Sequence, residues 1–337
     1  MEQAWIHKAK TDSLFILLPT YLVLGVVLCA HQWLESVELQ YSFLTWLFLI
    51  VFVDVAHVYA TLFKTYFVKE EFQRRKSLYL WVPCVCFVIS VGLFLMGSQV
   101  FWSVLAYVAV FHFIRQQYGF MRLYARKEVK TKFNIYFDQL VIYTATIYPM
   151  LFWFMSPKRQ FNWFIENEFF TSEQQKLLQI LSVIYFVILG VYVIRTMYIA
   201  IQQGFFNLPK HAVIAGTALS WYFGIVYYNN DLIFTLLNVV AHGVPYIALI
   251  YLNEIQKKSK EELKHLIMFK GIFYFLGLLL IIAFVEEYLW EVLVWNDHFS
   301  IDHLNLSSWA FVIVPLLSVP QLTHYILDGV IWKTKKE

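Results

Sequence analysis

His57, His112, His242 and His324 stand singly in four strongly apolar segments of the chain. Asp54 precedes His57 by three residues and Asp328 follows His324 by four, spacings that put each carboxylate on its histidine's face of a helix. A charged group at the centre of a membrane helix costs about 2.5–3.5 kcal/mol on insertion scales, so it is kept where it has a partner or a task. Imidazoles mixed with carboxylates suit non-haem iron, zinc or manganese, whereas copper(I) favours sulfur and the chain holds only seven methionines. The expected metal ligands are therefore His57, His112, His242 and His324, with Asp54 and Asp328 ligating or orienting the imidazoles. The three cysteines, Cys29, Cys84 and Cys86, lie in apolar segments without metal or redox spacing and read as core residues.

Polar groups cluster around two of these histidines. In His112-Phe113-Ile114-Arg115-Gln116-Gln117-Tyr118, Arg115 and Gln116 follow the histidine by three and four residues and are expected to seat an anionic or polar head group. Tyr118, or Tyr325 beside His324, is expected to donate a hydrogen bond in catalysis there. Asn238 precedes His242 by one turn, while Gly243 and Pro245 follow it, which predicts a bend and freed backbone carbonyls near the centre.

The elements that position these side chains are membrane helices. Of 337 residues only 15% are charged, against about 25% in soluble domains. The net charge of +3 is too small to suggest a nucleic-acid partner. The expectation is an all-α, polytopic helical bundle, one integral-membrane domain over residues 1–337 with about ten spans of ~20 residues each. The first five run Ser13–Ala30, Tyr41–Phe63, Leu78–Met96, Val100–Phe120 and Phe137–Met155. The others run Leu177–Ala200, Ala212–Tyr228, Leu232–Leu252, Phe269–Glu286 and Ser308–Ile331. No small-residue cleavage site follows the first, so it reads as a retained helix.

Charge orients the stack. Lys8 and Lys10, the Lys64–Lys76 and Arg122–Lys132 stretches, Lys210, Lys257-Lys258-Ser259-Lys260 and the Lys333–Lys336 tail alternate with loops poor in Lys and Arg. Only Lys158, Arg159 and Lys176 break the pattern, in a loop that also holds Glu166, Glu168 and Glu173. The positive-inside rule then places both termini in the cytoplasm. All four histidines fall on helices descending to that side, roughly 9–15 Å from their cytoplasmic ends. His211 and Asp138 add polar groups at cytoplasmic helix starts, and the remaining histidines, His7, His31, His265, His298 and His303, read as loop or edge residues.

Scattered histidines at shared depth resemble the polyhistidine integral-membrane non-haem iron oxygenases, the desaturases, hydroxylases and carotenoid-cleaving enzymes. The resemblance is one of class and does not include the paired H-x-x-x-H and H-x-x-H-H boxes of desaturases. It implies a metal-dependent oxidoreductase with one or two iron ions, zinc or manganese being alternatives, acting on an apolar lipid or isoprenoid-like substrate. Its partners would be membrane lipids and an electron-donor protein, since no nucleotide-binding motif is present. Two other readings stand beside it: a haem-binding electron-transfer protein, and a proton- or cation-coupled transporter. The terminal Lys333-Thr334-Lys335-Lys336-Glu337 fits an endoplasmic-reticulum retrieval signal in a eukaryote, or positive-inside anchors in a bacterial inner membrane.

The orientation is testable by labelling single cysteines. Glu35→Cys and Asn296→Cys should react only from the non-cytoplasmic side, and Arg75→Cys, Lys127→Cys and Lys258→Cys only from the cytoplasm. Finding positions 35 and 75 on the same side would overturn it.

Overall fold

Among the described residues (2–38, 42–129, 131–256, 271–295 and 307–332) the computed structural model is helical, with no strand. The Lys257–Lys260 run, Asp297, Asp302, the tail from Lys333, and His265, His298 and His303 lie outside them. Ten helices take the ten expected positions. They are α1 Ala9–Val37, α2 Ser42–Phe63, α3 Lys76–Met96, α4 Ser98–Tyr124 and α5 Lys132–Met155. Then follow α6 Gln175–Gln203, α7 Leu208–Trp221, α8 Asp231–Ile255, α9 Ile272–Trp295 and α10 Ala310–Ile331. All but α5 and α7 are long and apolar enough to cross a membrane, eight in number among the described residues. The sequence of α5 includes Lys132, Asp138 and three tyrosines, and α7 opens with Lys210 and His211.

Local chemistry fixes several boundaries. Thr131 caps α5 by accepting from the Asn134 N–H at 3.1 Å, and Asn207 caps α7, which has a proline in its first turn. Gly204 ends α6 in the left-handed region at φ 59°, where a side chain would be strained.

The chain divides into two compact units, residues 1–40 with 110–242 and residues 41–109 with 243–337. Helices α4 and α8 each contribute a part to both. In the first unit α5 packs on α6 and α7, and α7 on α1. Lys210 of α7 pairs with Asp138 of α5 at 3.3 Å and with Glu128 at 2.9 Å, so the polar residues of these two helices answer each other. The loops of this unit gather at two ends. At one, Gln3 bonds the Phe206 carbonyl, Arg126 bonds that of Ala4, and Asn207 bonds Glu128. At the other, the Gln160 N–H reaches Asn229 and His31 lies against Tyr228. Chain direction therefore alternates from helix to helix within this unit.

The second unit has the same two-ended arrangement. Lys64 pairs with Glu254 at 2.6 Å, and Arg75 reaches the Val330 carbonyl, at one end. Trp102, Trp290 and Trp295 meet at the other. Here α10 lies along α3, and α9 against α2. Helix α9 runs well past Glu286, where the ninth span was expected to end, because no glycine or proline interrupts it before Trp295. Glu286, Glu287 and Glu291 consequently lie inside the helix and are buried.

Helix α2 is wound as a π-helix over Trp46–Val55 before returning to α geometry at Ala56–Ala60 around His57. The wide turns bring its backbone against α8, where a Cβ on Gly243 would stand 2.8 Å from the Val53 carbonyl oxygen. Gly243→Ala must therefore push the helices apart, an overpacking cost of about 1–3 kcal/mol. Gly92 of α3 has nothing within 4 Å of its would-be Cβ. Thermal unfolding in detergent should show a clearly lowered midpoint for Gly243→Ala and none for Gly92→Ala; equal midpoints would refute the close approach.

Candidate metal centre

Each unit brings two of the singled-out histidines together. In the first, His112 of α4 and His242 of α8 meet with ring centroids 5.0 Å apart and planes at 81°. In the second, His57 of α2 and His324 of α10 meet at 4.9 Å and 80°. One ligand atom from each of the four lies within 4.8 Å of the others, and all four residues are buried. A buried group of four histidines that could hold a metal ion is thus built into the protein.

The surroundings differ between the pairs. His242 sits under Phe113, whose ring stacks on it at 3.7 Å and 8°. Pro245 has no N–H for the Ala241 carbonyl one turn back, and Gln117 Nε2 donates to that carbonyl at 3.1 Å instead. Gln116 Nε2 adds a bond of 2.8 Å to the His242 carbonyl. The freed carbonyl expected near Pro245 therefore exists, and two side chains of α4 tie down the α8 backbone that carries His242.

His324 is held by hydrogen bonds. Its Nδ1 lies 2.6 Å from Thr61 Oγ1, which lies 3.0 Å from the Tyr246 hydroxyl. A metal held by this ring would therefore bind at Nε2. The imidazole then carries its proton on Nδ1 and donates to Thr61, and the threonine hydroxyl donates to Tyr246.

The other expected site residues fall elsewhere. Asp54 Oδ1 stands 3.7 Å from His57 Nδ1, beside the imidazole and outside the group of four. Asp328 is also outside it; it accepts from Trp332 Nε1 at 2.7 Å and bonds the Tyr246 hydroxyl, while Thr61 Oγ1 meets His324 Nδ1. Arg115 is exposed, donates to the Tyr143 hydroxyl at 3.0 Å and lies over the Tyr118 ring, so Arg115 and Tyr118 form an outward-facing group with Tyr143. Gln116 serves the backbone of α8, as described. His211 bonds the Tyr192 hydroxyl at 2.5 Å, away from the four.

Thr61, Tyr246, Phe113 and Gln117 were not singled out in the sequence. Thr61 follows His57, and Tyr246 follows His242, by four residues, so helical spacing was the signal that marks both. Nothing local marks Glu286 and Glu287, which enter through the length of α9.

No family model, curated protein or solved structure matches the chain. What the site does must be argued from its own chemistry.

Partners that orient a metal-bound histidine are worth about 10–100-fold in metal affinity. Thr61→Val, which removes the acceptor for His324, should weaken metal retention by about that factor in competition with a chelator, and Thr61→Ser should restore most of it. Equal retention by all three proteins would show that Thr61 does not orient the ligand.

Proposed function

We propose that this chain is a membrane-embedded, metal-dependent oxidoreductase that uses iron held by His57, His112, His242 and His324 on an apolar lipid or isoprenoid-like substrate. The observation that carries the reading is the four-imidazole group itself, buried in helices of mostly apolar composition. Four neutral nitrogens suit iron, zinc or copper better than manganese, which prefers oxygen ligands. Their common spacing favours one ion over two. A structural zinc would be complete with four ligands, whereas iron takes up to six and keeps positions open for oxygen and substrate. Ring centroids 4.9 and 5.0 Å apart leave no gap for a macrocycle within either pair, which argues for a bare ion over haem.

When bound, the ion supplies the redox chemistry and the protein supplies placement. Thr61 and Tyr246 hold the His324 proton on Nδ1 and keep that ring aimed. Phe113 fixes the plane of His242 by stacking, and Gln116 and Gln117 fix the backbone beneath it. Four neutral ligands leave the ion's charge intact in an apolar interior, so countercharge must come from outside the ligand set. Asp54, beside His57, is placed to provide it. The surrounding apolar side chains exclude water and favour a hydrocarbon substrate. Electrons for oxygen activation come from a partner protein, and Arg115 with Tyr118 on the outer face of α4 offers a polar group to a substrate head or lipid.

Buried carboxylates at Glu286, Glu287 and Glu291 favour a second reading, a proton- or cation-coupled transporter with the histidines in its pathway.

Protein purified in detergent should retain about one iron per chain by the ligand count. Alanine at any of the four histidines should lower that content, while His7→Ala should not. A host expressing the chain should accumulate an altered lipid or isoprenoid only in the presence of dioxygen, and the His112→Ala variant should not. An oxygen-independent product would sink the oxygenase reading, and ion flux that needs no metal would promote the transporter.

A further inference from the structure

Aromatic rings lead from the His112–His242 pair to the surface of the first unit without a break. Phe113 stacks on His242 at 3.7 Å, and Trp163 meets Phe113 edge-on at 5.1 Å. Trp163 lies 5.6 Å from Phe234, and Phe234 lies 5.5 Å from Trp153. Trp153 lines a cavity of about 300 Å³ together with the polar side chains Lys158, Asn162 and Glu173. The line thus begins at a candidate metal ligand and ends at a charged pocket.

Trp163 is not a residue of the helix bundle. It belongs to the connection between α5 and α6, a segment rich in charge, and it is inserted from there against Phe113. The insertion is built. Glu168 is buried, and its carboxylate accepts the backbone N–H groups of Trp163, of Phe164 at 2.7 Å and of Ile165 at 2.9 Å. Three charge-assisted bonds to successive amides fix that turn of the loop and the indole it carries. A surface loop is normally polar and carries its side chains outward, so an indole pinned inward against a ligand-stacking ring calls for a reason.

We infer that Trp163 and Trp153 are an electron-transfer route that drains oxidising equivalents from the metal centre to the loop pocket. The inference rests on the redox-active metal proposed above. Indole is among the side chains easiest to oxidise by one electron, and the intervening phenyl and imidazole rings shorten the gaps an electron must cross. Each event is a one-electron exchange. Trp163 gives an electron to the oxidised ion through Phe113 and His242, and Trp153 refills Trp163 through Phe234. The Trp153 indole then releases its N–H proton to water in the pocket. A one-electron donor from solution, a thiol or an enediol acid, returns the electron and the proton. When an ion is oxidised with no substrate present, this route spares the ligand histidines.

The test uses full-length protein loaded with iron, its metal content measured, and hydrogen peroxide as terminal oxidant, two such transfers reducing one peroxide to water. Peptide mass mapping should find oxidation concentrated at Trp153 and Trp163 in the iron-loaded protein and several-fold less in metal-free protein. A tryptophan radical signal should appear on the same condition. Trp163→Phe should keep its iron, lose most of the oxidation at Trp153, and suffer more oxidation at His242. Phe234→Leu should likewise protect Trp153 while leaving Trp163 oxidisable. Equal oxidation of both tryptophans with and without iron, or a Trp163→Phe protein unchanged at Trp153 and His242, overturns the route while leaving the metal site standing. Protein that takes up no iron overturns the metal reading and the route with it.

Discussion

Imidazole in an apolar helix has nowhere to turn but to another protein group. In water its two nitrogens are satisfied at no structural cost. Inside helices that lipid or other helices surround, each unmet nitrogen costs free energy comparable to a lost hydrogen bond, several-fold more than it would at a surface. Four such residues therefore constrain the structure in which they sit. Each unit meets the constraint in the same form, a pair of buried rings set nearly perpendicular at close to 5 Å. Perpendicular rings at that distance present nitrogens to a common point and do not stack away their polarity against each other.

Around that constraint the supports are unequal in kind. His324 is oriented through Thr61 and Tyr246, a directional chain whose proton positions follow once Nε2 is given to a ligand. His242 is oriented by the face of Phe113 and by a backbone held in place by Gln116 and Gln117. Hydrogen bonding raises the basicity of an imidazole and makes it a stronger donor to a metal, whereas stacking fixes its plane and leaves its electronics nearly untouched. The π-helical turns of α2 and the missing side chain of Gly243 belong to the same scheme, since they let α2 and α8 approach closely enough for Thr61 to reach Tyr246.

Helix positions and the histidine group were legible in the sequence because both are periodic or compositional signals. Apolar runs near the bilayer length stand out against a polar background, and single histidines within them stand out against leucine and phenylalanine. What was not legible depends on which face of a helix meets which neighbour. Arg115 and Gln116 are adjacent in sequence, yet the first is outside on Tyr143 and the second is buried on the α8 backbone. Asp328 sits at the right helical spacing from His324, yet it bonds Trp332 and Tyr246, and a hydroxyl from another helix meets His324 Nδ1. The end of α9 was misplaced for a different reason. Two adjacent glutamates look like an interface, and only tertiary partners reveal that they continue a buried helix: Tyr59 and Trp290 on Glu286, and Trp46 on Glu287.

The buried acids of α9 bear on what kind of ion the centre suits. Four neutral ligands around a divalent ion leave two positive charges uncompensated, and a dry interior makes that expensive unless carboxylates lie near. Asp54 beside His57, with Glu286 and Glu287 in electrostatic reach of Asp54, gathers three carboxyl groups in the second unit. A bound cation that drew these groups into their ionised form would be stabilised more in a higher oxidation state than in a lower one, because the stabilisation grows with the ion's charge. A redox-inert structural zinc would draw no benefit from that difference. An iron that must pass between two charge states would, and the carboxylates that leave the ligand shell to histidine are where such an ion would need them.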